Sequence, residues 1–304
     1  MQEMKTILAV GSIAIDTLET PNGNKDNVLG GSAAYFSLAA SLFAPVKMVG
    51  VVGNDYPEEG WNLFKSRQIN TENVQVVSGK TFRWGGRYNH NYSARETLFT
   101  ELGVFESFSP IIQDKDCRSN WVFLGNIQPD LQLAVAQMAV SAEHIVADTM
   151  NLWIDLFPEK LKRVLGVSNI FLLNHEEALQ LTGAKEIQEA AAYIRGRGPE
   201  IVIIKMGDMG AYLSFEDKSF TIPVFLVNKV IDPTGAGDSF AGGFVGYLAQ
   251  TKKLDFVGAV LAGSAVASCC VEGFGLGSLA NVTREDVNRR IAVIRDRMSV
   301  AEVI

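Results

Sequence analysis

A series of short apolar runs, each closed by Gly, Asn or Asp, constrains the fold of this chain more than any other feature. They are Ile7-Leu-Ala-Val-Gly11, Val46-Lys-Met-Val-Gly-Val-Val-Gly53, Trp121-Val-Phe-Leu-Gly-Asn126, His144-Ile-Val-Ala-Asp148, Ile170-Phe-Leu-Leu-Asn174 and Ile201-Val-Ile-Ile-Lys-Met-Gly207. Runs this short and this apolar fit strands buried on both faces, as in a parallel sheet. Helical stretches separate them, among them Pro129 to Ala142 and Ile187 to Arg195. Strands alternating with helices predict a mainly parallel sheet with right-handed crossovers. In such sheets ligands bind beyond the carboxyl ends of the strands, and Asp16 falls just past the first of them. The 304 residues, 47% hydrophobic and 20% charged, suffice for one large α/β domain or two small ones. No linker, internal repeat or low-complexity segment divides them, and the chain is read as a single domain over 1–304.

One region breaks the pattern. Val74-Gln-Val-Val, Thr81-Phe-Arg-Trp-Gly-Gly-Arg-Tyr and Thr97-Leu-Phe-Thr alternate aromatic or β-branched residues with polar ones. That period predicts antiparallel strands with one wet face. Together, about 13–28 and 74–102 are expected to form a small β lid over the sheet edge. A surface excursion without a role is the other reading. Phe82, Trp84, Tyr88 and Tyr92 favour a cover, because excluding water needs apolar surface.

The stretch Asp232-Pro-Thr-Gly-Ala-Gly-Asp-Ser-Phe-Ala-Gly-Gly-Phe-Val-Gly-Tyr247 carries the most chemistry. Its first half is turn chemistry, with Pro233 fixing its own φ and Gly235 and Gly237 open to backbone angles closed to other residues. Its second half suits a buried helix beginning near Gly237. A Gly-rich loop entering a helix N-terminus favours an anion, and Asp238 in the first turn would stand beside it. A base next to a transferring phosphoryl group is one arrangement that results; a simple helix cap is the other. Two further residues sit where a ligand site is expected. Asp16 follows the first strand closely, and Asn174-His-Glu-Glu177 has capping-box spacing at the end of another.

The string Asp232 to Phe240 closely resembles the C-terminal signature of the ribokinase-like carbohydrate kinases, the phosphofructokinase-B family. Further motifs occur in that family's order: Asp16, Gly30-Gly31, Asn174 to Glu177 and Gly207 to Gly210. The resemblance covers essentially the whole chain. It implies an α/β three-layer sandwich with a mainly parallel central sheet and a small β lid. It also implies ATP-dependent phosphorylation of a hydroxyl or hydroxymethyl group, with a sugar or, alternatively, a nucleoside as acceptor. A non-catalytic sensor on the same scaffold is a third reading, which an intact Asp238 and Gly-Ala-Gly loop oppose.

Residue by residue, the resemblance makes Asp238 the base and the amides of Gly235, Ala236 and Gly237 an anion hole. Asp16, Gly30, Gly31 and Asn126 would bind the acceptor. Asn174, Lys205, Gly207, Gly210, Ala262 and Gly275 would bind ATP. Glu177 would organise Mg2+ through water, and Asp232 matches a position that in some members lies near a monovalent cation such as K+. Two departures stand out: Ser32 and Tyr35 occupy positions where many sugar kinases have Lys or Asn, and Lys205-Met206 replaces the usual Thr-Leu. From residue type alone, Ala262-Gly-Ser-Ala-Val-Ala-Ser reads equally well as tight helix packing.

A net charge of −7 with no basic cluster argues against nucleic acid. Phe256 to Val271 is the longest apolar stretch and is too short and too rich in Gly, Ala and Ser to span a membrane. The apolar run before Asp16 is too short for a signal peptide, and Cys117, Cys269 and Cys270 form neither a disulfide framework nor a zinc spacing. A reducing cytoplasm is expected. The chain has neither a Gly-x-x-x-x-Gly-Lys-Ser/Thr loop nor a Gly-x-Ser-x-Gly elbow. Open edges of the lid would allow a homodimer.

Overall fold

Alternate residues of the central strands belong to two different cores, and this splits the molecule into layers. The computed structural model describes residues 5–92 and 94–301. In β1 (Ile7–Val10), Ile7 and Ala9 pack into one core while Leu8 and Val10 pack into the other. Both faces of a strand are therefore covered, which is why its sequence is continuously apolar.

The chain continues through β2 (Ala14–Thr20), β3 (Gly23–Gly30), α1 (Ser32–Ala40), β4 (Val46–Gly53), α2 (Glu58–Ser66), β5 (Asn70–Val77), β6 (Phe82–Tyr88) and β7 (Arg95–Glu101). Alternation then sets in with β8 (Trp121–Leu124), α3 (Pro129–Met138), β9 (His144–Asp148), α4 (Asn151–Leu156), α5 (Pro158–Val167), β10 (Ile170–Asn174), α6 (His175–Thr182), α7 (Ile187–Arg195) and β11 (Ile201–Lys205). A hairpin, β12 (Ala211–Phe215) and β13 (Lys218–Ile222), precedes α8 (Ala236–Gln250), α9 (Phe256–Cys270), α10 (Gly277–Ala280) and α11 (Arg284–Ala301).

Nine strands form the large sheet in the order β13-β12-β11-β10-β9-β8-β1-β4-β5. It is parallel from β11 to β5, and the β12–β13 hairpin adds an antiparallel edge that the sequence pattern did not signal. The helices α1, α8 and α9 cover one face, and α3, α5, α6 and α7 the other. Glycines let α8 sit close to its neighbours: a Cβ on Gly242 would lie 2.4 Å from the Phe36 carbonyl oxygen, and one on Gly243 2.9 Å from that of Ala262.

The four-stranded small sheet has the order β3-β2-β6-β7. Residues 14–30 and 82–101 supply it, but Val74 to Val77 do not. They lie in β5, the outermost parallel strand of the large sheet. An edge strand is only partly covered, and with Val76 and Val77 both exposed it tolerates polar residues among its valines, so its sequence resembles that of a half-wet antiparallel strand; that accounts for the misplacement. Helix α3 also ends at Met138, short of the expected Ala142. Among the described residues no helix is long and apolar enough to cross a membrane.

Candidate active site

Asp148, Asn174 and Lys205 close the adjacent strands β9, β10 and β11, so topology alone brings them to one end of the sheet. Asn174 and Lys205 are register partners across β10 and β11. Asn174 caps α6: its Oδ1 accepts from the Glu177 N–H at 2.8 Å, and Glu177 Oε2 accepts from the Asn174 N–H at 2.8 Å. This is a reciprocal capping box, which fixes the Glu177 carboxylate in place. Burial pushes Glu177 up to about 7, with Lys205 opposing and Asp148 adding to the shift.

Lys205 is not the solvated strand end that one reading of the sequence allowed. Its Nζ pairs with Asp148 Oδ2 at 2.8 Å, and both side chains are largely buried. Burial alone would lower its pKa; Asp148 and Glu177 more than offset this, so it is raised and the side chain stays charged. The ammonium points at the first turn of α8, where a Cβ on Gly237 would lie 3.1 Å from Nζ. Gly237 itself is helical. Its value here is the missing side chain rather than an unusual backbone angle. Gly235 is the residue that needs the freedom, with φ 76° at the N-cap.

The turn before α8 is braced from below by Asp232. Its Oδ1 accepts from the Thr234 N–H at 2.9 Å and its Oδ2 from the Gly275 N–H at 3.2 Å. The Ala236 N–H donates to the Pro233 carbonyl at 3.2 Å, while the Gly235 and Gly237 amides have no partner among the described residues. Two amides rather than three are thus free for an anion, beside a charged lysine. Asp238 follows in the same turn. Burial raises its carboxyl to about 7, the Asp148 charge adding to the shift and Lys205 opposing it. A carboxyl poised near neutrality suits a general base.

A second pole lies at Asp16, on β2 of the small sheet. It is buried, with Oδ1 lacking a hydrogen-bond partner and its carboxylate held by the Trp84 backbone. Burial, then the charge of Asp232, raises it to about 8. A Cβ on Gly30 would lie 2.1 Å from Asp16 Oδ2, so the first glycine of the pair makes room for this carboxylate. Gly31 is the N-cap of α1.

The remaining expected residues are more scattered in role. Asn126 follows β8, and its side chain donates to Met150 Sδ at 3.1 Å and accepts from Trp153 Nε1 at 2.7 Å. Gly207 and Gly210 flank a single 3-10 turn after β11, with φ 61° and 96°. Gly275 contributes its N–H to Asp232, as above. Ala262 is fully buried in the contact between α9 and α8, a helix-packing position.

Sequence reasoning passed over Asp148, Arg95 and Thr234. Asp148 had a signal, since it closes an apolar run as Asn174 does. Thr234 stood inside the quoted motif; its Oγ1 and the Tyr88 hydroxyl lie 3.0 Å apart, tying β6 to the turn. The Tyr92 hydroxyl adds a bond to the Val230 carbonyl at 3.0 Å. Arg95, at the start of β7, is hydrogen-bonded to Tyr88 and lies 5.2 Å over the Trp84 ring. Its positive charge weakly opposes the upward shifts of Asp238 and Glu177. Nothing local in the sequence marks it.

No three His, Cys, Asp or Glu side chains among the described residues cluster as a ready-made metal cage. A magnesium ion needs no such cage, because it keeps several waters and takes ligands from phosphates. The fixed, buried Glu177 carboxylate, with Oε1 not used by the capping box, fits that requirement.

The pfkB family carbohydrate kinase profile matches residues 4–283. A cytidine kinase from Thermococcus kodakarensis is 28% identical over 259 residues, covering 83% of this chain and 91% of its own length. In fold, the chain resembles the nucleoside kinase of Methanocaldococcus jannaschii, with a TM-score of 0.77 at 22% identity over 96% of this chain and 99% of that one. It equally resembles the ribokinase of Arabidopsis thaliana solved with ribose and ATP, with a TM-score of 0.78 at 19% identity over 95% and 99% of the two chains.

Proposed function

This chain belongs to the pfkB family of carbohydrate kinases, and from that premise we propose that it transfers the γ-phosphoryl group of ATP to a hydroxymethyl group of a nucleoside, with Asp238 as the base. The observation that carries the reading is the first turn of α8, where a carboxyl raised to about 7, two unpaired amides and a buried ammonium converge. The choice of a nucleoside over a free sugar is supported by the cytidine kinase and nucleoside kinase among its relatives, and by Tyr35 in place of the Lys or Asn of many sugar kinases.

In this reading Asp16 accepts hydrogen bonds from sugar hydroxyls and holds the acceptor with its hydroxymethyl group towards Asp238. As the acceptor oxygen bonds to the γ-phosphorus, its O–H proton passes to the Asp238 carboxylate. The bond from the γ-phosphorus to the bridging oxygen breaks, and its electron pair leaves with ADP. The Gly235 and Gly237 amides and the Lys205 ammonium stabilise the charge on the transferring group, each preorganised donor being worth roughly 3–4 kcal/mol in other enzymes. Asp148 holds Lys205 on target. Asn174, Gly207 and Gly210 lie on the nucleotide side, and Asp232 is available to a monovalent cation. Glu177, its carboxylate fixed by the capping box, would hold Mg2+ through water, and the bound ion would supply positive charge to the phosphates.

The small sheet acts as a lid. Tyr88 and Tyr92 tie it to the anion-binding turn, and Arg95 brings a second cation from it. Its open edges, β3 and β7, leave room for a second copy of the chain. The test is ADP release with Mg2+ and ATP over a panel of cytidine, other ribonucleosides and ribose. Turnover with a ribonucleoside supports the reading. Turnover with ribose alone moves the acceptor to a free sugar, and release that no member of the panel stimulates refutes the nucleoside reading of the acceptor.

A further inference from the structure

Gln132, the fourth residue of α3, is only 1% exposed although its side chain ends in an amide. Its Nε2 donates to the carbonyls of Leu124 at 3.1 Å, Gly125 at 2.9 Å and Asp148 at 2.9 Å. These carbonyls lie where β8 stops: Leu124 is its last residue, and its register with β9 ends where Leu124 meets Ala147. Asp148 still pairs with Leu172 of β10, but on the β8 side it has no register partner. The Gln132 amide stands in for the missing ladder. Its orientation is fixed, because a flipped amide would set Oε1 against carbonyl oxygens. The fold keeps this orientation although it leaves Oε1 buried with no partner among the described residues, which is costly.

The peptide unit that Gln132 holds also carries the Asp148 carboxylate. The Thr149 N–H of that same unit donates to Asp148 Oδ1 at 2.9 Å, so the carboxylate follows the peptide. Its Oδ2 accepts from Lys205 Nζ at 2.8 Å, and Nζ faces the first turn of α8, 3.1 Å from where a Cβ on Gly237 would lie. One line of contacts therefore runs from α3 through Asp148 and Lys205 to the anion-binding turn. We propose that Gln132 is a positioning residue for phosphoryl transfer, fixing the peptide at the end of β9 whose carboxylate aims Lys205 at the transferring group. The acceptor side is braced separately, since Asn126 has its own bonds to Met150 and Trp153. Loss of the amide thus falls on the transfer step rather than on acceptor binding. The inference rests on the kinase reading above, in which Lys205 stabilises the charge on the transferring group.

The test is Gln132→Met, which keeps the length of the side chain and removes its hydrogen bonds. Its kcat per folded molecule should fall by about 10- to 100-fold, the scale on which small misplacements act, while KM for the acceptor stays within about 3-fold. A residue that only supported the fold would lower the melting temperature and leave kcat in place. The loss should also depend on Lys205: in a Lys205→Met background the same substitution should cost no more than about 3-fold. An unchanged kcat, a loss confined to KM, or an equal loss in both backgrounds overturns the proposal and leaves the kinase reading standing. A crystal structure of ligand-free Gln132→Met reads the linkage without turnover. Lys205 Nζ should leave Asp148 Oδ2 or swing with it away from α8, and an unmoved pair overturns the proposal. If the wild type phosphorylates no acceptor, the kinase reading falls and this structure alone decides whether Gln132 positions Lys205; it also decides if the double variant does not fold. Should Gln132→Met itself not fold, Gln132→Glu takes its place with the same readouts, and a chain that folds with neither residue shows a structural role alone and overturns the proposal.

Discussion

Replacing Asp16 by Asn should make the ligand-free protein more stable, and more so as pH rises. Asp16 is 4% exposed, Oδ1 has no partner, and its carboxyl is raised from 3.8 to about 8 by burial and then by Asp232. Because the folded state holds this proton more tightly than the unfolded chain, the wild type loses stability as pH climbs from about 4 to about 8. One pH unit across that window costs up to about 1.4 kcal/mol for the one group. With those two pKa values, the loss attributable to Asp16 is about 2 kcal/mol at pH 5 and about 5 kcal/mol at pH 8. The gain of Asp16→Asn over the wild type should therefore grow by about 3–4 kcal/mol between the two pH values. Urea unfolding of both proteins at pH 5 and pH 8 reads this: titrating groups remote from Asp16 cancel in the difference, and relief of Asp232 and Asp238 from its charge adds to the gain in the same direction. A gain that does not change with pH, or a variant less stable at pH 8, refutes the account of Asp16 as a carboxyl held buried for a ligand. Such a trade of stability for a binding group is common at functional sites.

Other perturbations separate the remaining roles. Glu177→Gln keeps an oxygen for the Asn174 N–H, so the fold should hold while the Mg2+ concentration giving half-maximal rate rises; an unchanged magnesium dependence removes the metal role. Lys205→Met leaves Asp148, Glu177 and Asp238 without their shared cation. The acid limb of the pH–rate profile should move up from about 7 because the Lys205 charge no longer holds Asp238 down, and stability should fall by about 3–5 kcal/mol from breaking a buried pair. An acid limb that stays in place or moves down contradicts the arrangement. Amide hydrogen exchange in β6 and β7 should slow when acceptor and nucleotide are bound, and equal exchange in both states argues against a lid.

The parts of this fold that could be read from the sequence are those that depend on neighbours along the chain. The double-core strands show as continuous apolar runs, and the turn into α8 is legible because Asp232 to Asp238 are consecutive. Asn174 and Glu177 are likewise three residues apart. Groups assembled by topology were harder to see. Lys205 and Asp148 are 57 positions apart and meet only because β9 and β11 flank β10. Arg95 reaches the site from a different sheet, through Tyr88 and Trp84. The misplacement of Val74 to Val77 has its own cause, since a partly covered strand mixes valines with polar residues whether it ends a parallel sheet or pairs in an antiparallel one. Ala262 shows the opposite ambiguity: a small residue beside a flat base and a small residue between helices cannot be told apart until α8 is seen against it.

The central claim is that Asp238 takes the acceptor's proton beside an anion site at the start of α8. Asp238→Asn tests it most directly, because the amide keeps the size of the side chain but takes up no proton at neutral pH. Single-turnover transfer of the γ-phosphoryl group from ATP to the acceptor should slow by at least about 100-fold, the lower range of general-base contributions. ATP affinity, measured on the same folded protein, should be unchanged or tighter, since the negative charge of a half-buried carboxylate beside the phosphates is gone. Transfer within a few-fold of the wild-type rate would contradict the assignment of the base.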